Sequence, residues 1–302
     1  MCNLVEPDEQ VTSEPIPLKR LGFIVNPIAG MGGLVGLKGT DGKEILKKAL
    51  SLGAEPVAPA RAAAFLSELE SVKKQIQLLV GSGSMGEDEA YNLHFNYHVL
   101  GVRKLETSRE DTKEVARGMS KSSVDLLVFC GGDGTARDIL DVVETSLPVL
   151  GVPTGVKMHS AVFAVNPKAA AATTIGFLWG GLPLKEIEVM DVDEAAYREG
   201  RLSAMLYGYM LTPYEPTLIQ GSKVASPMVE SEIHNQAAIA LYVIEEMKPE
   251  IFYIIGPGTT TRTIADLLNE KKTLLGVDLF YNKKLLAKDV NEAQILETIK
   301  GK

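Results

Sequence analysis

Short apolar runs closed by glycine alternate along the first half of the chain with stretches whose apolar residues recur every three or four positions. The runs at 21–25, 77–80, 99–102, 126–130 and 148–152 have the length of buried strands. Helical periodicity predicts helices over 43–52, over 58–74, near 87–95 and over 108–119. Ser108 and Asp111 supply a capping box for the last of these. A further helix follows 126–130 at once, with Ala136, Ile139, Leu140 and Val143 on one face, Thr135 at the N-cap position and Asp138 completing a box. Strands that alternate with helices, each leaving through a glycine loop, predict an α/β domain with a parallel sheet. Its loops gather at the carboxyl ends of the strands, where open sheets take ligands.

The pattern changes after about residue 166. Asn166 and Pro167 read as N-cap and first position of an alanine-rich helix ending near Gly176. Segments 186–193 and 202–211 flank Arg198-Glu199-Gly200 and predict a hairpin. A proline-rich loop over 212–227 leads to a helix over 229–247. Residues 251–302 read as α/β again, and a shift of 125 positions lays Gly131 on Gly256, Thr135 on Thr260, Arg137 on Arg262 and Ile139 on Ile264. Asp133 falls on Gly258 in that overlay, so only the first unit carries a carboxylate. The predicted organisation is a polar arm over 1–18, an α/β domain over 19–165, and a smaller mixed β and α/β domain over 166–302, with a hairpin region at 184–212 and an α/β region at 229–302.

Composition narrows the classes. With 302 residues, 45% hydrophobic and 23% charged, the chain reads as a soluble globular protein of about two domains. A net charge of −8 argues against a broad nucleic-acid surface, which needs clustered Lys and Arg. Two cysteines, Cys2 and Cys130, indicate no disulfide framework and fit a reducing cytoplasm. Residues 1–10 carry Glu6, Asp8 and Glu9 without an apolar core, which is not the pattern of a signal peptide. The most apolar stretch, 161–184, is interrupted by Asn166-Pro167-Lys168 and by Gly180-Gly181-Leu182-Pro183, so no membrane span is expected. Four histidines and two cysteines without close-set pairs predict no zinc site.

The chemistry centres on Gly131-Gly132-Asp133-Gly134-Thr135, between a strand and a helix. Glycines let a backbone approach a ligand closely, and free N–H groups at a helix start suit phosphate. A carboxylate in such a cradle repels phosphate unless it holds a metal or removes a proton. Two competing motifs weaken on inspection. Gly42-Lys43 is followed by Glu44, and Gly36-Leu37-Lys38-Gly39 also departs from the Walker A spacing. Gly81-Ser82-Gly83-Ser84-Met85-Gly86 fits the dinucleotide fingerprint, with Glu106 at a suitable distance for a ribose, but Glu87, Asp88 and Glu89 open the helix and repel a pyrophosphate.

The Gly-Gly-Asp-Gly segment resembles that of the superfamily of NAD kinases, diacylglycerol and sphingosine kinases and 6-phosphofructokinases. Asn26-Pro27 with its glycine-rich loop and Gly151-Val152-Pro153-Thr154-Gly155 extend the likeness. The run over 25–33, with 36–42, is similar to the ATP-NAD kinase-like proteins of archaea and bacteria, including the acetoin-catabolism X group. An Asn-Glu pair that helps NAD kinases bind NAD has no clean counterpart here; Ile233-His234-Asn235-Gln236 is a distorted one.

The resemblance implies a Rossmann-like N-terminal domain and a cytoplasmic homo-oligomer that uses Mg²⁺ with ATP to phosphorylate the ribose 2′-hydroxyl of NAD, giving NADP. Asp133 takes the hydroxyl proton on this reading. Asn26, Gly30, Gly32, Gly33, Gly131, Gly132, Gly134, Thr135, Thr154 and Gly155 line the phosphate site. Gly258, Thr259 and Thr260 either form a second ligand-contacting loop or are one more strand-to-helix turn. Lys38, Asp41, Lys157, His159, Arg137 and Arg262 either meet ligand or serve as ordinary loop and surface residues. Three other functions stay open: a same-fold kinase with a different hydroxyl acceptor, a nucleotide-binding regulatory protein without turnover, and a dehydrogenase.

Overall fold

Five parallel strands frame the first domain: β1 (Lys19–Val25), β2 (Ile76–Gly81), β3 (Tyr97–Leu100), β4 (Leu126–Gly131) and β5 (Val149–Pro153), in the order β3-β2-β1-β4-β5. The computed structural model describes residues 17–35, 43–155, 158–192, 204–220, 230–273 and 276–300. Chain direction across the sheet reverses at β1 and β4, so the loops leaving these two strands flank the crevice where open α/β sheets bind ligands.

Near-continuous apolar strands reflect burial on both faces. Leu21, Phe23 and Val25 of β1 and Leu126, Val128 and Cys130 of β4 face one core, while Ile24, Leu127 and Phe129 face another. This is the two-residue alternation of a strand. A single helical turn α1 (Met31–Leu34) and α2 (Lys43–Ser51) share a small cluster of their own through Met31 and Ala49, while α3 (Ala58–Glu68) and α4 (Glu87–Asn92) cover the first face with Ala62, Phe65 and Ala90. Phe23 and Phe65 stack there at 5.7 Å. α5 (Arg109–Lys121) and α6 (Asp133–Val143) cover the second face through Val115, Met119, Ile139 and Val143. α7 (Pro167–Gly180), capped by Asn166, returns to the first face.

Two sequence expectations change here. The helix predicted over 58–74 ends at Glu68, because Leu69 turns fully into the core and a 3-10 turn (Lys73–Gln75) leads into β2. α6 starts at Asp133 with Gly132 as N-cap, two residues before the predicted Thr135 cap. The Thr135–Asp138 box therefore does not form: Asp138 instead accepts from Arg109 of α5 at 2.6 and 3.1 Å. The Ser108–Asp111 box is present.

β6 (Leu184–Val192) and β7 (Ala204–Pro213) pair antiparallel and pack on α6 through Ile187, Val189 and Met210. The predicted turn at 198–200 lies outside the described residues, as do residues 1–16 of the predicted arm. Farther on come α8 (Glu230–Glu246), β8 (Phe252–Ile255), α9 (Thr259–Leu267), β9 (Asp278–Tyr281), β10 (Lys284–Ala287) and α10 (Glu292–Ile299). Ala240, Met247, Ile255, Ile264 and Phe280 give this region a core of its own. Its strands, ordered β10-β9-β8, are all antiparallel, which gives the expected mixed α/β region its sheet. The decisive local feature is the two-residue link Asn282-Lys283, with φ of 51° and 62°, a mirror-image turn that joins β9 to β10 as a hairpin. Among the described residues no helix is long and apolar enough to cross a membrane.

Gly151 in β5 lies under an edge-to-face pair formed by Phe129 and Phe163, whose ring centroids are 5.3 Å apart. A Cβ at Gly151 would enter the Phe163 ring and come within 3.0 Å of Phe129. We expect Gly151→Ala to lower stability by about 1–3 kcal/mol in urea denaturation. Gly180→Ala, at a helical position with open space around it, should instead be neutral or stabilising by up to about 1 kcal/mol.

Candidate functional site

Three loops converge at the carboxyl ends of β1, β4 and β5, and specific bonds hold them together. The Asn26 backbone N–H donates to the Cys130 carbonyl at 3.0 Å, continuing the β1–β4 ladder by one residue. The Asn26 side-chain amide donates to Thr135 Oγ1 at 2.9 Å and so ties the loop after β1 to the first turn of α6. The Thr154 N–H donates to the Gly131 carbonyl at 3.2 Å and ties the loop after β5 to the same turn. Gly30 closes the triangle: it has φ +83°, and a Cβ there would collide with the Thr154 carbonyl oxygen. Gly131 is equally restricted, since a Cβ would lie 2.6 Å from Thr135. Gly132 differs, with open space where its Cβ would be, and it is the glycine whose free side leaves room for a ligand.

Asp133 stands inside this triangle, only 8% exposed. Its Oδ2 accepts the His159 N–H at 2.8 Å, and its Oδ1 accepts the Ser160 N–H at 2.9 Å. Ser160 in turn donates its hydroxyl to the Met190 carbonyl of β6 and accepts the Met190 N–H. The carboxylate thus ties the loop after β4 to the segment after β5 and, through Ser160, to β6. Burial raises the Asp133 pKa above the usual carboxylate range, against the opposing pull of hydrogen bonds from Ser160 and His159. Two of the four lone-pair directions of the carboxylate are spent on these amides. The other two remain for further partners.

The remaining expected residues are distributed as follows. Gly32 and Gly33 fall in the α1 turn, and Gly134 in the first turn of α6. Thr154 is 5% exposed, and its buried Oγ1 has no hydrogen-bond partner among the described residues. Gly155 is exposed just beyond it. His159 contributes its backbone N–H rather than its ring to Asp133. Arg137 forms an ion pair with Asp191 of β6 at 3.1 Å and lies over the Tyr207 ring at 5.0 Å, so β6 and β7 engage it. Gly258, with φ +138°, starts α9 in the C-terminal region; there Thr261 returns its hydroxyl to the Gly256 and Gly258 carbonyls, and Gln236 reaches Thr259. Thr260 lies in the same first turn, and Arg262 pairs with Asp266 at 3.7 Å. Lys38, Asp41 and Lys157 lie outside the described residues, and among those described no cluster of three His, Cys, Asp or Glu side chains is placed to hold a metal.

The competing glycine loop after β2 is occupied from within. Glu87 accepts the Gly83 N–H at 2.6 Å, so the carboxylate sits where the fingerprint would present that amide to a pyrophosphate. Arg103 faces the acids from outside, pairing with Asp88 at 2.6 Å.

Sequence reasoning missed two site residues. Ser160 lies 27 positions from Asp133, and nothing local marks it. Glu89 reads as one of three helix-opening acids, yet it is 8% exposed and its Oε2 is buried without a partner. Burial is the main cause that raises its pKa to about 7, and Asp88 adds to it.

Residues 21–180, more than half of the 302, match the profile of the ATP-NAD kinase N-terminal domain. No curated protein matches the chain.

Two outcomes follow from this geometry. Gly30→Ala should destabilise the fold by about 1–3 kcal/mol, since both its φ and the Thr154 carbonyl oppose a side chain, measured by thermal unfolding. The Glu89 carboxyl titrates near 4.5 unfolded and near 7 folded, so the folded state binds the extra proton and stability falls as pH rises between those values. Glu89→Gln should remove that slope, which amounts to about 3 kcal/mol at most across the window, read from urea midpoints at pH 5 and pH 8.

Proposed function

The chain belongs to the ATP-NAD kinase family, whose domain is that of a phosphotransferase, and from that premise we propose that it transfers the γ-phosphoryl group of Mg-ATP to the ribose 2′-hydroxyl of NAD. The observation that carries the reading is the position of Gly131–Thr135: the turn leaves β4 at the point where the sheet order reverses, tied by Asn26 to the glycine loop after β1. Phosphoryl transfer asks a protein mainly for positioning and for neutralisation of charge. Free amides near Gly132 and at the start of α6 meet phosphate oxygens, and Mg²⁺ enters as the ion of the nucleotide substrate.

Asp133 accepts the hydroxyl proton in this scheme. Its raised pKa brings the carboxylate nearer to the operating pH, which favours a general base. The scheme carries a structural requirement: the ribose hydroxyl must reach one of the two lone-pair directions that the His159 and Ser160 amides leave.

The capture of Asp133 by two amides favours a second reading, a nucleotide-binding protein in which this residue is a structural tie and no turnover occurs. Incubation with NAD and Mg-ATP separates the two. NADP formation supports the kinase, while nucleotide binding without ATP consumption supports the regulatory reading. ATP consumption only with other hydroxyl compounds points to a different acceptor.

Asp133→Asn should lower the rate of NADP formation by about 10²- to 10⁴-fold. Its amide NH₂ meets one of two backbone donors and costs about 1–3 kcal/mol of stability, so the assay is run where circular dichroism shows both proteins folded. Wild-type turnover in the folded variant removes Asp133 from the chemistry.

A further inference from the structure

Glu89 is a second buried carboxyl at the ligand-binding end of the sheet, and the proposed reaction makes no use of it. Gly86, which opens α4 with φ +127°, lies so near β1 that a Cβ would be 3.1 Å from the Phe23 carbonyl oxygen. Glu89 lies on the helix that this turn opens, and Ala90 next to it packs in the cluster that holds Val25 of β1 and Cys130 of β4. Cys130 is the residue whose carbonyl holds Asn26, and Gly131 follows it directly. The Glu89 Oε2 is buried, with no hydrogen-bond partner among the described residues.

We propose that Glu89 is a positioning residue of the phosphate site, one that takes up a proton when a phosphate-bearing nucleotide occupies the loops after β1 and β4. The inference rests on the reading that those loops bind nucleotide phosphate. A buried oxygen without a partner is tolerated as a neutral acid and costly as an anion. Phosphate charge arriving nearby in a medium of low dielectric adds repulsion to that cost, and protonation relieves both.

Among the described residues, the groups on the elements packed around Glu89 supply no buried cation. Asp88 on its own helix raises its pKa further, and the Cys130 thiol on β4 is held neutral. β2 carries no titratable side chain. Arg61 and Glu68 of α3 and His98 of β3 are exposed to solvent, and Tyr97 of β3 is half-buried.

Calorimetric titration with Mg-ADP, in two buffers of different ionisation enthalpy, tests the proposal on the full chain. Wild type should take up more than about 0.3 proton per nucleotide bound at pH 7.5, and its affinity should weaken toward tenfold per pH unit above pH 7. Glu89→Gln should bind with affinity that is flat between pH 6.5 and 8.5 and without that uptake. Equal uptake in both proteins, or normal binding by wild type without uptake, overturns this proposal and leaves the nucleotide-site reading intact. No Mg-ADP binding by wild type overturns the nucleotide-site reading and this one with it. Should Glu89→Gln fail to fold, the pH course of uptake in wild type decides alone, since an absent maximum between pH 7 and 8 refutes the role.

Discussion

The Asp133 carboxylate, held by the backbone N–H groups of His159 and Ser160, is the interaction on which the arrangement of this molecule depends. An anion buried to this degree is tolerable only with donors directed at both oxygens, and two amides supply them. That requirement fixes residues 158–160 over the turn after β4. Through the paired bonds of Ser160 with Met190, it also fixes where β6 enters. One side chain from a helix start thereby joins the parallel sheet to the antiparallel hairpin that follows it. The same bonds set the terms for chemistry, because they leave the carboxylate two lone-pair directions for any further partner.

Glycine does two different jobs around this carboxylate. At Gly30 a side chain would collide with the Thr154 backbone of a neighbouring loop, and at Gly131 with the Thr135 side chain that Asn26 holds. They build the site by letting the three loops interlock. Gly132 has room around it, and its missing side chain leaves space that no described residue fills. A glycine-rich stretch is thus not uniformly a ligand cradle. The loop after β2 makes the point from the other side, since its fingerprint spacing is intact but Glu87 occupies the Gly83 amide.

Two carboxyls share the carboxyl end of the sheet under opposite conditions. Asp133 has donors for both oxygens, whereas Glu89 has a buried oxygen with none. Burial raises the pKa of both; for Glu89 it outweighs a backbone hydrogen bond that favours the charge, Asp88 adds to it, and the carboxyl reaches about 7. Paired acids in unequal surroundings are a familiar way for one site to hold one charge and one exchangeable proton.

Amino-acid order alone determined the elements and the location of the chemistry. Strand-length apolar runs, the Ser108–Asp111 cap, the Asn166-Pro167 start and the Gly131–Thr135 turn are all local, set by side-chain period and backbone freedom within a few residues. That order also carried the resemblance that residues 21–180 bear out. Tertiary structure decided the partners. Asp138 met Arg109 rather than Thr135, Arg137 met Asp191 and Tyr207, and Asp133 met amides 26 and 27 positions away. It also made the last strands antiparallel through the turn at Asn282-Lys283. Local rules see neighbours along the chain, whereas burial and hydrogen-bond satisfaction are set by groups that only the folded sheet brings together.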